Sequence, residues 1–462
     1  MSVISDAPAR AAAEPSALAQ RLYRAIWRWH FFAGLIAVPF MLSLAITGGL
    51  YLFNDEIDAS LFRYRNYVTV GNAELTPSSI AEKAVAAVPG AKLSSYRTPA
   101  GADRSARVTV STEAGKVLVF VDPYTGNVLD TVGAAEEFNQ VVEDLHSLDY
   151  FGTSFERIIE IVAGFAIVLV LTGIYLWWPR GQAGGVVSVR GTPAKRVFWR
   201  DLHAVTGIFA SVVILFLAFS GLLWSGFWGS NVNATLTANG MGYPVELWDR
   251  VPHSMLVTTD VLPKTAWLLE NAPVPTSTPP GEGQVALPAI GLDNAVTIAN
   301  AAGMLPGYDL SPPSGETGVY TAAIYPADLQ YERTLHIDQY TGERLVDTAY
   351  ADYPATGKLI EWGINVHKGQ EWGLFNQLLM LATCLVVIAM SLSGVVMWWK
   401  RRPKGRIGVP PGPREGRIYA GLWAIAAVFG VLFPLTGLTI LAMIVLDQGV
   451  IRFVPPLRRI FS

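Results

Sequence analysis

Residues 28–53, RWHFFAGLIAVPFMLSLAITGGLYLF, decide the fold class of this chain. From Phe31 onward the run is uncharged, and a helix needs only about 20 such residues to cross a bilayer. The run is also too long for the core of a signal peptide, and no small-residue cleavage site follows it. We therefore interpret it as an uncleaved membrane anchor whose inner end carries His30.

Four further segments share this length and composition. The predicted membrane helices are 21–53, 158–178, 204–228, 373–399 and 418–447. With 51% hydrophobic and 15% charged residues, the chain is too apolar for an ordinary soluble protein. Its net charge of -3 gives no reason to expect nucleic acid as a partner. Its single cysteine, Cys384, excludes a disulfide framework and covalent haem attachment.

Basic residues are concentrated in the leader and in the links that follow the second and fourth helices. They are Arg10, Arg21, Arg24, Arg28, Arg180, Arg190, Lys195, Arg196, Arg200, Lys400, Arg401, Arg402, Lys404, Arg406, Arg414 and Arg417. Because Lys and Arg are retained on the cytoplasmic side, the N-terminus and the links 179–203 and 400–417 are predicted to be cytoplasmic. The long loops 54–157 and 229–372 are then predicted to lie on the opposite face.

The two ends of the chain carry weaker patterns. The polar, Ala-rich leader 1–20 is predicted to be disordered. Five crossings place the tail 448–462, with Arg458 and Arg459 and also Arg452, on the outer face, against the positive-inside rule. Proline inside a helix removes a hydrogen bond, so Pro434 could kink the fifth segment. The pattern leaves the side of the tail open.

The two halves of the chain repeat each other. His30 and His203 are each followed by a glycine at +4 and by a Thr-Gly or Ser-Gly pair at +17; His146 and His367 are each followed by a glycine at +6, by such a pair at +26 and by Trp-Trp at +31. The matched residues are Gly34, Thr47-Gly48, Gly207, Ser220-Gly221, Gly152, Thr172-Gly173, Trp177-Trp178, Gly373, Ser393-Gly394 and Trp398-Trp399. This register indicates a duplicated unit of helix, outer domain and helix. In the fifth segment Tyr419 occupies the histidine position, so no third site is predicted.

Each long loop has the pattern of a small α+β domain. In the first, Thr76-Pro77 resembles an N-cap and first helical position, with a helix to about Val88 and strands near 106–112 and 117–121. Both loops contain the same turn, Asp122-Pro-Tyr-Thr-Gly126 and Asp338-Gln-Tyr-Thr-Gly342. The second is longer by 48 residues, since the two His-to-His intervals are 164 and 116. The predicted fold is an α-helical bundle of about five membrane helices with two small α+β domains.

The four registered histidines suggest haem. Neutral imidazole is the usual axial ligand that haem iron takes from helices. His30 and His203 begin inner ends of membrane helices, whereas His146 and His367 precede outer ends. Two units related by an axis along the membrane normal would bring like positions together. We therefore predict two bis-histidine haem b groups, one held by His30 and His203 and the other by His146 and His367.

Neighbouring motifs have structural as well as functional interpretations. Thr-Gly and Ser-Gly pairs serve helix packing as readily as a cofactor wall, and the Trp-Trp pairs fit an aromatic belt. Asp144 and Asp201 each precede a histidine by two residues; they would either orient its imidazole or be solvated. His253 and His336 have no counterpart in the other half and are interpreted as structural.

The Arg-Trp-His30-Phe-Phe-Ala-Gly34 opening, the paired Thr/Ser-Gly and Trp-Trp motifs and the Asp-x-Tyr-Thr-Gly turns together resemble the PepSY-associated transmembrane helix family, over about residues 21–447. The resemblance implies a bacterial inner-membrane protein with periplasmic PepSY domains and b-type haem bound by transmembrane histidines. That family includes ferric-siderophore reductases similar to the ferrioxamine reductase. The fifth segment and the longer second loop depart from its four-helix pattern.

The resemblance and the histidines together predict an oxidoreductase, a ferric-siderophore reductase. It would take electrons from a cytoplasmic reductant or a membrane quinol and pass them to a periplasmic ferric siderophore, releasing iron by reduction. Tyr150, Phe151 and Trp372, near the outer histidines, would be substrate contacts or interfacial packing. Two alternatives stay open: a cytochrome that donates to another periplasmic acceptor, and a non-redox PepSY protein that binds or regulates a partner such as a peptidase.

Overall fold

The computed structural model describes residues 17–180, 184–280, 288–410, 416–451 and 453–461. Several residues of the sequence argument lie outside that description: Arg10, Arg414 and Arg452 entirely, and the side chains of Arg417 and Tyr419. The leader, predicted to be disordered over 1–20, is described only from Ala17, where the first helix already begins.

Helices form the predicted membrane segments and flank the strands of both long loops. They are α1 (Ala17–Tyr51), α2 (Asn54–Ser60), α3 (Arg63–Asn66), α4 (Pro77–Ala87), α5 (Phe138–Ser147), α6 (Glu156–Trp177), α7 (Arg196–Leu222), α8 (Trp228–Ala238), α9 (Val245–Trp248), α10 (Thr258–Val261), α11 (Gly291–Ala301), α12 (Ala355–His367), α13 (Leu374–Arg401), α14 (Gly416–Leu432), α15 (Pro434–Val445) and α16 (Pro455–Phe461). In the described residues, five helical stretches are long and apolar enough to cross a membrane: Ala17–Tyr51, Thr153–Trp177, Arg196–Leu222, Leu374–Arg401 and Pro434–Ile451. The first four match predicted helices, and the fifth overlaps the second half of the predicted helix 418–447.

Strands belong to the two long loops. They are β1 (Lys92–Arg97), β2 (Ala106–Thr112), β3 (Gly115–Val121), β4 (Val128–Gly133), β5 (His253–Val257), β6 (Pro273–Pro275), β7 (Asp309–Ser311), β8 (Val319–Ile324), β9 (Arg333–Asp338) and β10 (Arg344–Ala349). Eight of them form one sheet in the order β10-β9-β8-β7-β1-β2-β3-β4, and β5 pairs with β6 separately.

The chain divides into two compact units, here called the helical unit (residues 1–46, 156–219 and 383–462) and the sheet unit (residues 47–155 and 220–382). In the helical unit, α1, α6, α7 and α13 each contribute one residue to a small buried cluster: Ala45, Val170, Ile214 and Val387. The helices that carry the repeated motifs therefore pack against each other, as expected for a bundle.

The fifth segment forms a helical hairpin rather than one helix over 418–447. Helices α14 and α15 are separated at Phe433, because Pro434 has no N–H to continue the first helix. The two helices cross so closely that a Cβ on Gly437 would lie 2.2 Å from the Gly430 Cα. On its other side α15 packs against α6, where a Cβ on Gly164 would lie 2.0 Å from the Thr436 hydroxyl.

Contacts at the base of this hairpin place its two ends together. The Arg28 guanidinium donates both to the Pro410 carbonyl, before the hairpin, and to the Asp447 carboxylate, after it. Residues on either side of the hairpin also meet: the Ile407 N–H, before it, donates to the Ile460 carbonyl, after it, at 2.7 Å. The tail thus returns to the basic link that follows α13. Because the chain turns back at Pro434, its basic tail lies next to this link rather than a helix length away from it.

The sheet unit joins the two predicted α+β domains through one sheet. Strand β1 of the first half pairs antiparallel with β7 of the second, with Tyr96 opposite Leu310. Helices α4 and α11 are linked as well, since Ser78 donates its N–H and its hydroxyl to Asp293 at 2.7 and 2.6 Å. Buried side chains of both halves form one core, including Ile80, Val108, Leu292, Leu310 and Ile337. Pairing at β1 and β7 removes an exposed edge from each half.

Local structure in the sheet unit follows the sequence signals closely. Helix α4 begins at Pro77, and the Thr76 hydroxyl accepts the Ser79 N–H at 3.3 Å, as the N-cap prediction requires. In each repeated turn the aspartate accepts the N–H two residues on, at 2.8 Å, and the closing glycine has a positive φ. These residues are Asp122, Tyr124 and Gly126 in the first half and Asp338, Tyr340 and Gly342 in the second.

The additional residues of the second half support α12, the helix that ends at His367. A second core, which includes Trp248, Trp267, Leu268 and Ile364, lies between the added segment and this helix. Within it the Glu361 carboxylate of α12 accepts the Leu268 N–H at 2.9 Å. The additional residues of the second loop therefore pack against α12 and stabilise it.

Candidate functional site

The first histidine pair lies within the helical unit. His30 comes from α1 and His203 from α7, and their ring centroids are 6.2 Å apart with the ring planes at 88°. The pairing predicted from the repeat is present for these two side chains. We call them the inner pair, after the helix ends on which the sequence places them.

Each imidazole of the inner pair is held through its Nδ1 atom. The His30 Nδ1 lies 2.9 Å from the Thr172 hydroxyl of α6. The His203 Nδ1 lies 3.1 Å from the Ser393 hydroxyl and 3.1 Å from the Met390 carbonyl, both on α13. A histidine that donates through Nδ1 presents its Nε2 lone pair, the arrangement commonly seen in metal-ligating histidines.

Glycines follow these hydroxyl residues and lie against the imidazole rings. A Cβ on Gly173 would lie 3.4 Å from the His30 Cε1, and one on Gly394 would lie 3.8 Å from the His203 Cε1. In both Thr172-Gly173 and Ser393-Gly394, therefore, the hydroxyl orients the ring and the glycine lets the helix approach it. This gives the repeated pair a more specific task than helix packing in general.

The second histidine pair lies within the sheet unit and repeats this arrangement. His146 lies in the last turn of α5, and His367 is the last residue of α12. The His146 Nδ1 lies 2.9 Å from the Thr47 hydroxyl, and the His367 Nδ1 lies 2.7 Å from the Ser220 hydroxyl. A Cβ on Gly221 would lie 3.4 Å from the His367 Cε1. We call these two histidines the outer pair.

The surroundings of the outer pair favour neutral imidazole. Burial, and to a smaller extent the nearby His146, lower the pKa of His367 to about 3. The Trp224 ring packs edge-on against His367, with centroids 5.7 Å apart. Burial also lowers the pKa of the adjacent Lys368 to about 8 and raises that of Glu361 on the same helix. Neutral imidazole is the form that binds iron.

The two aspartates considered as orienting groups accept hydrogen bonds from residues other than the histidines. Asp201 is fully buried, and its carboxylate accepts hydrogen bonds from Arg190 and Arg200 instead. The Asp144 carboxylate accepts from the Gln140 side chain at 2.8 Å. The interpretation that these carboxylates orient the imidazoles was wrong. Threonine and serine hydroxyls are the hydrogen-bond partners of the histidine Nδ1 atoms instead. The signal for the hydroxyls was their fixed offset from the histidines.

The other histidines and aromatic residues singled out from the sequence differ in burial and in their contacts. His336 is buried on β9 with its Nδ1 3.0 Å from the Thr321 hydroxyl, and His253 is exposed on β5, which agrees with structural roles. Trp178 and Trp399 are exposed, as an aromatic belt requires. Their neighbours differ: Trp177 and Trp398 each donate the indole N–H to a carbonyl nine residues on, at 2.8 Å. Tyr150, Phe151 and Trp372 are about half exposed.

The inner pair fits haem by its spacing, and both pairs consist of imidazole donors. An iron about 2 Å from each imidazole nitrogen separates the two ring centroids by roughly 6 Å, and the inner pair is at 6.2 Å. Within the described ranges, no group of three His, Cys, Asp or Glu side chains could hold a metal ion. Two histidines alone cannot fill the coordination sphere of a metal ion. In haem the porphyrin nitrogens supply the other ligands to the iron.

Comparison with known families agrees with the repeat. The model of the PepSY-associated TM region matches residues 27–401, most of the chain. The chain belongs to the PepSY-associated TM family. Together with its candidate membrane helices, this makes it a multi-pass membrane protein. The family match contains all four histidines and all four Thr/Ser-Gly pairs, whereas the hairpin α14–α15 lies beyond it. No curated protein matches the chain.

Proposed function

We propose that this chain is a haem b oxidoreductase of the bacterial inner membrane that reduces a periplasmic ferric-siderophore complex. The observation that carries the proposal is the geometry of the inner pair, in which two membrane-helix imidazoles are 6.2 Å apart with each Nδ1 hydrogen-bonded. The outer pair has the same hydroxyl partners.

The residues divide the work between ligation and orientation. His30 with His203, and His146 with His367, would supply the axial nitrogens of two haem groups. When bound, each haem would take up and release one electron at a time. Thr172 and Ser393, like Thr47 and Ser220 at the outer pair, hold the imidazoles in the ligating tautomer.

The basic links give this proposal its direction. With the N-terminus and both basic links in the cytoplasm, the inner pair would face the donor side and the outer pair the periplasm. The acceptor would be a ferric chelate, because hard oxygen ligands bind ferric iron more tightly than ferrous iron and one electron therefore loosens the complex. The donor would be a cytoplasmic reductant or a membrane quinol.

An absorption spectrum of the purified protein tests the proposal. We expect b-type bands on reduction with dithionite, with two haems per chain. His203→Ala and His367→Ala should each remove about one haem, because each removes one axial ligand from a different pair. His253→Ala is the control, since this histidine is exposed on β5, and it should retain both haems.

The same preparation separates the proposal from its alternatives. If ferric siderophores reoxidise the reduced protein faster than a soluble cytochrome does, the acceptor is a ferric chelate; the reverse order would indicate a cytochrome that serves a protein acceptor. Wild-type protein without any dithionite-reducible bands would contradict the proposal and favour a non-redox role in binding a partner.

A further inference from the structure

Two buried carboxyl groups of the sheet unit have no part in holding the histidines. Glu361 belongs to α12, and Glu332 immediately precedes β9. Glu361 is fully buried and Glu332 is 2% exposed. The Asn365 side chain of α12 donates to the Ala327 carbonyl, in the segment that leads to Glu332, at 2.8 Å. This contact holds the two segments side by side, and we call Glu332 and Glu361 the buried carboxyls.

The hydrogen bonds of the buried carboxyls are unequal. Glu361 accepts one on each oxygen, from the Leu268 N–H at 2.9 Å and from the Tyr325 hydroxyl at 2.7 Å. Glu332 accepts the Tyr353 hydroxyl on Oε1 at 2.6 Å, whereas its Oε2 is buried without a hydrogen-bond partner among the described residues. A buried carboxylate oxygen that lacks a donor is costly, and protonation removes that charge. The contacts therefore suit Glu332 to the neutral acid and Glu361 to the carboxylate.

Mutual repulsion favours the same division. Burial, and next the charge of Glu361, raise the pKa of Glu332 well above its usual range. Burial also raises the pKa of Glu361, but its two hydrogen-bond donors and the nearby Lys368 favour the charged form. Two neighbouring carboxyls in a low-dielectric interior do not both ionise near neutral pH, because each disfavours the charge of the other.

Titratable groups of the neighbouring elements face the buried carboxyls. The Lys368 ammonium, the cation of this set, lies 4.5 Å from the centroid of the Tyr325 ring. Burial and the charge of Glu361 raise the pKa of Glu270 to about 7. The complete set is Glu270, Tyr325, Tyr350, Tyr353, Lys368 and Glu371. Acidic groups outnumber cations here, so a proton is the charge that this region is suited to gain.

Glu361 lies on the helix that carries a predicted haem ligand. His367 is the last residue of α12, six residues after Glu361 and therefore roughly 9 Å further along the helix axis. Gly363–Val366, between them, are buried. Charges at such a distance interact appreciably where water is excluded. A change of one charge at the outer pair should therefore change the proton affinity of Glu361.

We propose that Glu361 is a redox-linked proton-binding residue: with Glu332 held as the neutral acid, Glu361 takes up one proton when haem at the outer pair is reduced. The inference rests on the proposed function, because it needs a group at the outer pair whose charge changes. One electron arrives there and one proton passes from water to the Glu361 carboxylate. When the electron moves on to the ferric chelate, Glu361 returns the proton to water, so the buried region keeps a constant charge.

The reduction potential of the outer haem, measured against pH, tests this role. Full-length His203→Ala protein in phosphatidylcholine nanodiscs should retain the outer haem alone, and spectroelectrochemistry gives its potential. We expect the potential to fall as pH rises through neutrality, because reduction is coupled to proton uptake. Glu361→Gln should abolish this dependence. The amide oxygen can still accept the Leu268 N–H, but glutamine takes up no proton in this range.

Two further variants separate Glu361 from its surroundings. Glu332→Gln should retain the pH dependence, because glutamine resembles the neutral acid. Glu343→Gln makes the same change of charge at an exposed position of the sheet unit and should also retain it. A pH dependence that persists in Glu361→Gln, or a wild-type outer haem whose potential does not respond to pH, would overturn the inference.

Infrared difference spectra read the proton itself. A carbonyl stretching band of a carboxylic acid, identified by its shift in D2O, should appear when the full-length protein is reduced. This band should be missing in Glu361→Gln. Glu332→Gln should instead lose one acid band that the oxidised wild-type protein already has. If no acid band appears on reduction of wild-type protein, the inference is wrong even where Glu361→Gln fails to fold.

The two proposals fail in different ways. A protein that contains both haems but gains no acid band on reduction would overturn the role of Glu361 alone. Absence of haem would overturn the proposed function, and the acid band of Glu332 would still report whether the buried carboxyls hold a proton.

Discussion

Each predicted ligand histidine is held by one hydroxyl, and this residue-scale feature explains why the repeat conserves Thr/Ser-Gly at a fixed offset. A hydrogen bond to Nδ1 raises the basicity of Nε2 and fixes the ring orientation. His203 and His367 differ in their hydrogen-bond partners. The His203 Nδ1 lies 3.1 Å from the Met390 carbonyl as well as from the Ser393 hydroxyl, whereas the His367 Nδ1 lies 2.7 Å from the Ser220 hydroxyl.

This difference predicts unequal effects of removing the hydroxyl. Ser220→Ala should speed haem loss from the outer pair by about tenfold, because outer-shell partners of metal ligands contribute at that level. Ser393→Ala should have a smaller effect on the inner pair, since the Met390 carbonyl can still accept the Nδ1–H. Transfer of haem to apomyoglobin, followed by absorbance, measures both rates.

A buried serine that contacts no histidine serves as the control. Ser225 lies on the chain just after α7 and donates its hydroxyl to the Leu222 carbonyl at 2.8 Å. Ser225→Ala should leave haem loss unchanged. Equal rates for Ser220→Ala and wild type would show that the hydroxyl does not support the ligand.

At the scale of elements, the hairpin α14–α15 changes the topology of the chain. A single helix over 418–447 would place the N-terminus and the tail on opposite faces. The observed turn at Pro434 returns the chain to Arg28, and the tail then pairs with Ile407. Its basic residues Arg458 and Arg459 thereby lie with the basic link, in agreement with the positive-inside rule.

Reporter fusions test this topology directly. A reporter fused after Ser462 should behave like one inserted at Gly405 in the basic link, because both lie on the same face. A reporter inserted at Gly240, in the long second loop, should behave in the opposite way. Green fluorescent protein and alkaline phosphatase, which are active on opposite sides of a bacterial inner membrane, give the readout. If the fusion after Ser462 follows Gly240 instead, the hairpin crosses the membrane.

At the scale of the whole molecule, the shared sheet makes the two halves of the sheet unit interdependent. Strands β1 and β7 pair across the halves, and the Arg97 Nε donates to Asp309 at 3.0 Å beside that pairing. The common core mixes side chains from both α4 and α11. Each half alone would expose one sheet edge and part of its core, which costs stability and promotes aggregation.

Expression of the halves as separate fragments tests this interdependence. Residues 54–157 alone should be poorly folded, with low dispersion of amide signals in NMR spectra and strong binding of a hydrophobic dye. Co-expression with residues 229–372 should restore dispersion, because the second fragment supplies β7 and α11. A well-dispersed spectrum from 54–157 alone would mean that the halves are independent domains.

The sequence alone determined the parts of this protein that depend on local patterns. Apolar runs long enough for a bilayer identified the five candidate membrane segments, although the fifth is divided at Pro434. The N-cap Thr76 and the Asp-x-Tyr-Thr-Gly turns identified local structure in the sheet unit. The repeat paired His30 with His203 correctly, because like positions of a duplicated unit meet across its symmetry axis.

Only the tertiary structure decided which groups surround those histidines and how the halves join. Which side chain reaches the Nδ1 of His203 depends on the rotation of α13 against α7, so Asp201, the nearest candidate in sequence, pairs with arginines while Ser393 reaches the ring. The shared sheet and the hairpin at Pro434 likewise depend on long-range pairing and packing, since no local pattern encodes which edge strand or which helix a segment will meet.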